Sequence, residues 1–312
     1  VQVITDDDRK APQRPSVITI GAYDGVHRGH QAVIAQVREL ANSMGCQSVV
    51  VTFDRHPASV VRPESAPKLL TDMEQKLELL AATGVDATRV VTFDENKARM
   101  TADEFAREIL IGGLQTKVIV VGEDFHFGHR RQGNVSTLRD MGEHLGFRVE
   151  PVKLIPRADG VAEPVSSTSI RRALAGGQVE TAGQLLGRPF EIRGEVVHGD
   201  QRGRTIGFPT ANIAVPQAMC LPADGVYAGR YINEQSRTFM CAVNLGRRPT
   251  FVEHSDHSLL EAHLLDFSGD LYGQRARVTF EKFLRSERKF DGLESLRTQL
   301  ADDIAAVRNT LS

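Results

Sequence analysis

A doubly wound α/β sheet followed by a small antiparallel β-barrel is the architecture predicted for this 312-residue chain. Three observations carry it. In the first part, short β-branched runs alternate with longer stretches of helical apolar spacing, the pattern of strand–helix–strand units and a parallel sheet. From Pro189 onward the apolar runs are brief and are separated by glycine-rich or polar turns, which suits a sheet closed on itself. A helical pattern returns at 293–311, where Leu293, Leu296, Leu300, Ile304 and Val307 share one face. The length suffices for two cores. The change of rhythm puts the boundary near Gly187, giving domains 1–186 and 187–312.

Within the first domain, residues 16–20, 47–53, 88–93, 117–121 and 147–154 read as strands. Residues 29–43, 72–82, 101–111 and 134–145 read as helices. Thr71-Asp72 offers an N-cap, and Thr101 with Glu104 three residues on offers a capping box. A doubly wound sheet binds ligands beyond the carboxyl ends of its strands, so the loops after Ile20, Phe53 and Val121 should gather there. In the second domain, 190–197, 210–213, 226–232, 238–244, 259–265 and 276–283 read as strands, with 293–311 as a closing helix.

Composition narrows the function. The apolar fraction of 41% and charged fraction of 25% are ordinary for a soluble protein. A net charge of −2 gives no reason to expect a nucleic acid or an anionic membrane as partner. The longest apolar runs, such as 118–121, are too short to span a bilayer. Residues 5–8, Thr-Asp-Asp-Asp, are acidic where a secretory leader would be basic. Cys46, Cys220 and Cys241 lie far apart, which argues against a disulfide framework or structural zinc and suits a reducing cytosol. A cytoplasmic protein with small-molecule partners is expected. Self-association is left open.

The densest chemical signal follows the first strand. Residues 21–30, GAYDGVHRGH, lead straight from strand into helix. The glycines allow tight turning and let the backbone approach a phosphate. The helix directs its free N–H groups and positive dipole end to the same spot. His27 and His30, three apart, can face one phosphate and donate hydrogen bonds to charge developing at an α-phosphorus. Adenylyl transfer then needs positioning and electrostatic stabilisation, without a covalent intermediate. A glycine-rich turn with surface histidines is the competing reading, and the strand–turn–helix context argues against it. Two more segments suit ligand loops: GEDFHFG at 122–128, after a strand, and VSSTSIR at 165–171, opening a helix. Hydroxyls at an N-cap are often purely structural. Arg171, one turn into that helix, could instead clamp a triphosphate.

A second signal lies at 199–212, GDQRGRTIGFPTAN. A loop with Gly203, Arg204 and Gly207 feeding a short strand could wrap a polyphosphate with backbone N–H groups and arginine donors. Thr210 and Asn212, two apart, project to one face of an extended strand. Their oxygens suit Mg²⁺, which takes few protein ligands and completes its shell with water and phosphates. The loop is not a Walker A sequence. A glycine hairpin with surface arginines is the competing reading.

Taken in order, GAYDGVHRGH, TFDRHP, GEDFHFG and SSTSIR resemble the nucleotidyltransferase module of the bacterial bifunctional riboflavin kinase/FMN adenylyltransferase (FAD synthetase) family. RGRTIGFPTANI, PADGVYA, VNLGRRPTF, LEAHLLDF with DLYG, and FLRSERKF resemble its riboflavin kinase module. The resemblance implies that His27, His30, Ser167, Thr168 and Arg171 bind ATP for adenylyl transfer. Gly21 and Asp24 of the same turn join that expected set, and the GxDFxFG loop brings in Asp124 beside nucleotide and flavin. It implies that Thr210 and Asn212 surround a Mg²⁺–nucleotide and that Glu261 is the general base on the ribityl 5′-hydroxyl, a role that suits an alcohol attacking a γ-phosphate. TFDRHP departs from the TFxPHP-like form by placing Arg55 where a proline is common. Asp266, Arg285, Arg247 and Arg248 are expected to be structural or peripheral. The implied activity is two-step: riboflavin and ATP to FMN, then FMN and ATP to FAD and pyrophosphate, with Mg²⁺ in both steps.

Overall fold

The computed structural model describes residues 1–6, 14–153, 155–199, 203, 206–246 and 257–312. It divides into two compact units, Val1–Ser167 and Thr168–Ser312. The first unit carries β1 (Gln2–Ile4), β2 (Ser16–Ile20), α1 (Arg28–Met44), β3 (Gln47–Phe53), α2 (Ala58–Val61), α3 (Met73–Ala82) and β4 (Ala87–Val91). There follow α4 (Glu95–Arg99), α5 (Ala102–Phe105, continued by a π-helical turn over Ala106–Ile111), β5 (Thr116–Gly122), β6 (His126–Phe127), β7 (Gly133–Asn134), α6 (Val135–Leu145) and β8 (Arg148–Val152). The helix α7 (Ser167–Ala175) begins at the junction of the units.

The main sheet has the order β1-β4-β3-β2-β5-β8, and every pairing in it is parallel. The strand β2 is buried along its whole length, as expected of a strand covered on both faces. From β2 the chain winds outward through β3 and β4, then returns to lay β5 on the other side of β2. That reversal opens a crevice at the carboxyl ends of β2 and β5, the usual ligand position in such sheets. Expected caps are present: Asp72 Oδ1 accepts from Gln75 N at 2.7 Å, and Thr101 and Glu104 form the reciprocal capping box. The short edge strand β1 escaped sequence detection because three residues carry no readable period.

The second unit continues with α8 (Val179–Leu186), β9 (Phe190–Val197), β10 (Ala211–Pro216), β11 (Gly225–Ile232), β12 (Thr238–Leu245), β13 (His257–Leu264), β14 (Arg275–Arg285) and α9 (Leu293–Leu311). Its six strands form a closed antiparallel barrel, β10-β13-β12-β11-β14-β9, with β9 pairing back onto β10. Ile213, Val243, Leu260, Ala262, Val278 and Phe280 are fully buried. Strand β11 is largely buried on both faces because α9 lies along β11 and β12. Val307 and Leu311 of α9 anchor it to Ala228 and Leu265. Helix α8 packs on β9 and β14, and Ala223 N donates to Leu174 O at 2.9 Å. The compact units therefore part at 167/168, ahead of the 186/187 boundary that periodicity suggested. Helical spacing in 167–186 resembles that of the α/β half, while its apolar faces pack with the barrel.

Candidate active sites

The turn after β2 is strained and heavily pinned. Tyr23, Gly25 and Val26 all take left-handed conformations, with φ of 49°, 84° and 39°, and two of them carry the side-chain cost of that geometry. Tyr23 Oη bonds Thr19 Oγ1 at 2.7 Å, and burial pushes its hydroxyl pKa well up, so the phenol stays neutral. Asp24, expected among the ATP ligands, is 4% exposed and its carboxylate is turned to the protein. It accepts from Leu70 N at 2.9 Å, Thr71 N at 3.1 Å and Thr71 Oγ1 at 3.3 Å. Gly25 N donates to that same Thr71 hydroxyl at 3.2 Å. The turn is thereby bolted to the segment that leads into α3.

His27 caps α1, its Nδ1 accepting from His30 N at 3.3 Å. The two imidazoles stack with centroids 3.6 Å apart and planes 16° from parallel, and the Tyr23 ring lies 4.7 Å from His30. Burial, and then the neighbouring His27, hold the His30 pKa well below the ordinary histidine value. At neutral pH His30 is therefore an uncharged imidazole that offers an N–H rather than a charge. Its Nδ1 is buried with no hydrogen-bond partner among the described residues. Gly29 fits between the two motifs. A Cβ there would lie 3.1 Å from the His27 ring and 3.3 Å from the Val165 carbonyl oxygen. Ser167 Oγ donates to Asp24 O at 2.9 Å, across 143 residues of sequence. Ser167 thus meets the His27–His30 turn. Thr168 is exposed and Arg171 half-buried, and both lie further along α7 in the second compact unit.

Beside the turn, a cleft of about 860 Å³ opens over the strand ends, lined by Gly21, Ala22 and Phe53 on one side and the 124–131 loop on another. Its walls are aromatic: Phe53 meets Phe93 edge-on at 5.2 Å, and Phe125 stacks on Phe127 at 5.5 Å. Its rim is basic, with Arg99, Arg130 and Arg131. A planar apolar ligand bearing an anionic group suits that combination. Asp124 is exposed at the mouth, its carbonyl oxygen 2.8 Å from His126 Nδ1. Arg55, the departure in TFDRHP, is exposed and binds Asp54 through Nε and Nη2. Lys76 has no signature in the sequence because it sits mid-helix without a motif. It is 7% exposed and donates to Phe53 O at 2.8 Å and to Ala22 O at 3.5 Å, joining the end of β3 to the turn. Burial draws its pKa down, against the opposing charges of Asp24 and Asp54.

The barrel assembles its site through strand register. Asn212 of β10 and Asn244 of β12 both stand opposite Glu261 of β13, so three polar side chains lie abreast on three neighbouring strands. They line a cavity of about 590 Å³ beneath α9, with Gly203, Thr210 and Arg285. A second cavity, of about 540 Å³, is lined by Val196, Pro209, Asp270 and Tyr272, and Thr210 and Asn212 belong to both. Asn212 is 6% exposed, and its amide lies so close to Gly199 that a Cβ there would come within 2.4 Å of Nδ2. Gly203 O accepts from Phe208 N at 2.8 Å, and Gly207 is left-handed at φ 91°. Arg204, Arg247 and Arg248 lie outside the described residues. Among the described residues no group of three or more His, Cys, Asp or Glu could hold a metal ion. The Thr210 hydroxyl and Asn212 amide oxygen are hard donors of the kind Mg²⁺ accepts when phosphates fill most of its shell. The donor set therefore fits a Mg²⁺–nucleotide and not a protein-caged metal.

Asn244 has no motif to mark it in the sequence, since only pairing reveals that it faces Glu261. Arg285, expected to be structural or peripheral, forks onto the buried Asp303 and also belongs to the cavity lining. Asp266 stays structural: its carboxylate pairs with Arg308 of α9 at 2.7 and 2.8 Å.

Comparison with known proteins matches residues 9–169 to the family described as FAD synthetase and residues 186–311 to that described as riboflavin kinase. The bifunctional riboflavin kinase/FMN adenylyltransferase of Pseudomonas fluorescens is 40% identical over 295 residues, covering 95% of this chain and 93% of its own. Its namesake from Escherichia coli K12 is 38% identical over 299 residues, covering 96% and 94%. A crystal structure titled macrolide-efflux protein from Streptococcus pneumoniae superposes with a TM-score of 0.87 at 30% identity, covering 99% of both chains. No described helix of the present chain is long and apolar enough to cross a membrane.

Proposed function

Since the chain belongs to the bifunctional riboflavin kinase/FMN adenylyltransferase family, we propose that residues 1–186 carry adenylyl transfer and residues 187–312 carry phosphorylation. The protein phosphorylates riboflavin to FMN with ATP and adenylylates FMN to FAD, releasing pyrophosphate.

In the adenylyl step, a phosphate oxygen of FMN attacks the α-phosphorus of ATP while the bond to the β,γ-pyrophosphate breaks. His27 and His30 are the catalytic pair, donating to the α-phosphate as charge grows on its oxygens. Their stacking and the Tyr23 contact support this role by leaving the rings little freedom. Gly21 admits the nucleotide close to the backbone, and Ser167, whose hydroxyl ties the start of α7 to the turn, is assigned to the ATP on its motif. Thr168 and Arg171 are assigned to the same ATP on their motif. Asp24 acts one step back, fixing the turn through Leu70 and Thr71. The aromatic cleft takes the isoalloxazine ring, with Asp124 at its mouth.

In the kinase step, Glu261 accepts the proton of the ribityl 5′-hydroxyl, whose oxygen attacks the γ-phosphorus as ADP leaves. The observation that carries this reading is the pair of cavities sharing Thr210 and Asn212, with Glu261 in register beside them. Riboflavin occupies the cavity beneath α9 and ATP the other, so hydroxyl and γ-phosphate meet at the common wall. Gly203, Arg204 and Gly207 are assigned to the polyphosphate on their motif. Thr210 and Asn212 would hold Mg²⁺, which neutralises phosphate charge.

The decisive experiment incubates wild type, His30→Ala and Glu261→Ala with riboflavin, ATP and Mg²⁺, measuring FMN and FAD separately. His30→Ala should accumulate FMN without FAD. Glu261→Ala should make no FMN yet still convert added FMN to FAD. Loss of both activities in either folded variant would overturn the division. A cytoplasmic location with small-molecule partners belongs to the same proposal, supported by a net charge of −2 and three cysteines that form no disulfide.

A further inference from the structure

The terminal helix is fastened by different means along its length. Its carboxyl half is held by apolar packing, through Ile304, Val307 and Leu311 against the barrel. Its amino half borders the cavity that contains Glu261, yet Leu293 is 55% exposed and Leu296 and Leu300 are only partly buried. Little hydrophobic burial secures that half. A polar latch stands at the middle of the helix, one residue before Ile304. Asp303, 4% exposed, accepts from Arg285 Nε at 2.9 Å and Arg285 Nη2 at 2.7 Å, and from Gln299 Nε2 at 2.8 Å.

Arg285 is the last residue of β14, and its remaining contacts order the segment after it. Nη1 donates to Ser286 O at 3.1 Å, and the guanidinium carbon lies 5.9 Å from the centroid of the Phe290 ring. Arg288 covers that same ring at 4.9 Å. Arg285, Phe290 and Asp303 all line the cavity. A fork between a carboxylate and a guanidinium fixes direction as well as distance. Buried this deeply, the Asp303 carboxylate left alone would carry a large desolvation cost. The exposed pair between Arg308 of the same helix and Asp266 has no such consequence.

We propose that Asp303 is a positioning residue for riboflavin. Through Arg285 and Gln299 it holds the middle of α9 and the 286–290 segment as opposing walls of the flavin cavity, and takes no part in phosphate transfer. This rests on that cavity being the riboflavin site.

The test is steady-state kinetics of Asp303→Asn, which keeps the shape and removes the charge. The riboflavin KM should rise about tenfold, as expected when uniform binding is lost, while kcat and the ATP KM stay within about twofold. Adenylylation of added FMN should be unchanged. Combining Asp303→Asn with Arg285→Gln should raise the KM by less than the product of the two single effects, since both break one latch. An unchanged riboflavin KM in Asp303→Asn, or a fall in kcat with KM preserved, would overturn the proposal. Should Asp303→Asn unfold the barrel, Arg285→Lys gives the same reading, because it retains the charge and loses the fork. Phe290→Ala separates this proposal from the site assignment. If it leaves the riboflavin KM unchanged, the cavity is not the flavin site; if it raises KM while Asp303→Asn does not, the cavity stands and the latch fails.

Discussion

The two sites of this chain are built in opposite ways. In the first unit, ten consecutive residues make a strained turn, and contacts from distant segments brace it: Thr71 and Leu70 on Asp24, Ser167 on the Asp24 carbonyl, Lys76 on Ala22 and Phe53. In the barrel no short segment forms the site. Asn212, Asn244 and Glu261 meet because three strands pair in one register, and Arg285 meets Asp303 because a helix closes over them. A local site concentrates its strain and should be damaged by small changes of shape. A register-built site is rigid as a lattice and should respond chiefly to loss of a particular functional group.

The largest effect that would sharpen this contrast is chemical. Glu261→Gln is nearly isosteric and leaves the strands paired, but removes the base. Riboflavin phosphorylation should fall by about 10²–10⁴-fold in kcat, with ATP binding and FMN adenylylation preserved. A loss below tenfold would mean that the carboxylate is a strand residue and the proton goes elsewhere.

The contrast also explains what could be read from sequence. The His27–His30 turn was visible because glycines, histidines, strand and helix are contiguous, and helix α1 starts at Arg28 with His27 as its cap. The barrel was visible as a class, since brief runs between turns imply a closed sheet. Its site was not. By spacing alone Glu261 is one carboxylate among many until Asn212 and Asn244 are seen to flank it, and nothing local to Arg285 hints at Asp303. Lys76 is hidden for the same reason in the first unit: its partners are backbone carbonyls, which leave no mark in sequence. The aromatic cleft draws on Phe53, Phe93, Phe105, Phe125 and Phe127, and their proximity depends on strand order.

A small change of shape tests the other half of the comparison. Gly29→Ala adds one methyl group, whose carbon would sit 3.1 Å from the His27 ring and 3.3 Å from Val165 O. Displacing His27 by a few tenths of an ångström should cost adenylylation roughly tenfold or more, since misplacement of catalytic groups is steeply punished. The kinase activity, measured on the same preparation, should not change. Equal loss in both would show that the turn is not a local device. Lys76→Met is milder in activity and larger in stability. It leaves the Phe53 carbonyl without its 2.8 Å donor, so the first unit should lose roughly 1–3 kcal/mol in urea unfolding. No loss would mean that the buried ammonium contributes nothing net.

The smallest expected effect is a pH dependence confined to the turn. His30 has its pKa depressed by burial and then by His27, whereas in the unfolded chain it titrates near about 6.5. Below that value the unfolded state takes up a proton that the folded state refuses. Stability of the first unit is therefore complete above the unfolded pKa and declines as the pH falls beneath it, by at most about 1.4 kcal/mol per pH unit from this one group. The direction comes from the lowered pKa; a raised one would reverse it. Urea midpoints of wild type and His30→Gln at pH 7.5 and 5.5 measure the difference. Wild type should lose more between the two, and ATP should reduce its loss, because phosphate beside the ring favours the protonated form. If His30→Gln is as acid-sensitive as wild type, the stacked pair is not the acid-labile point of the fold, and the strain stored in the turn has to be sought at Tyr23 and Val26 instead.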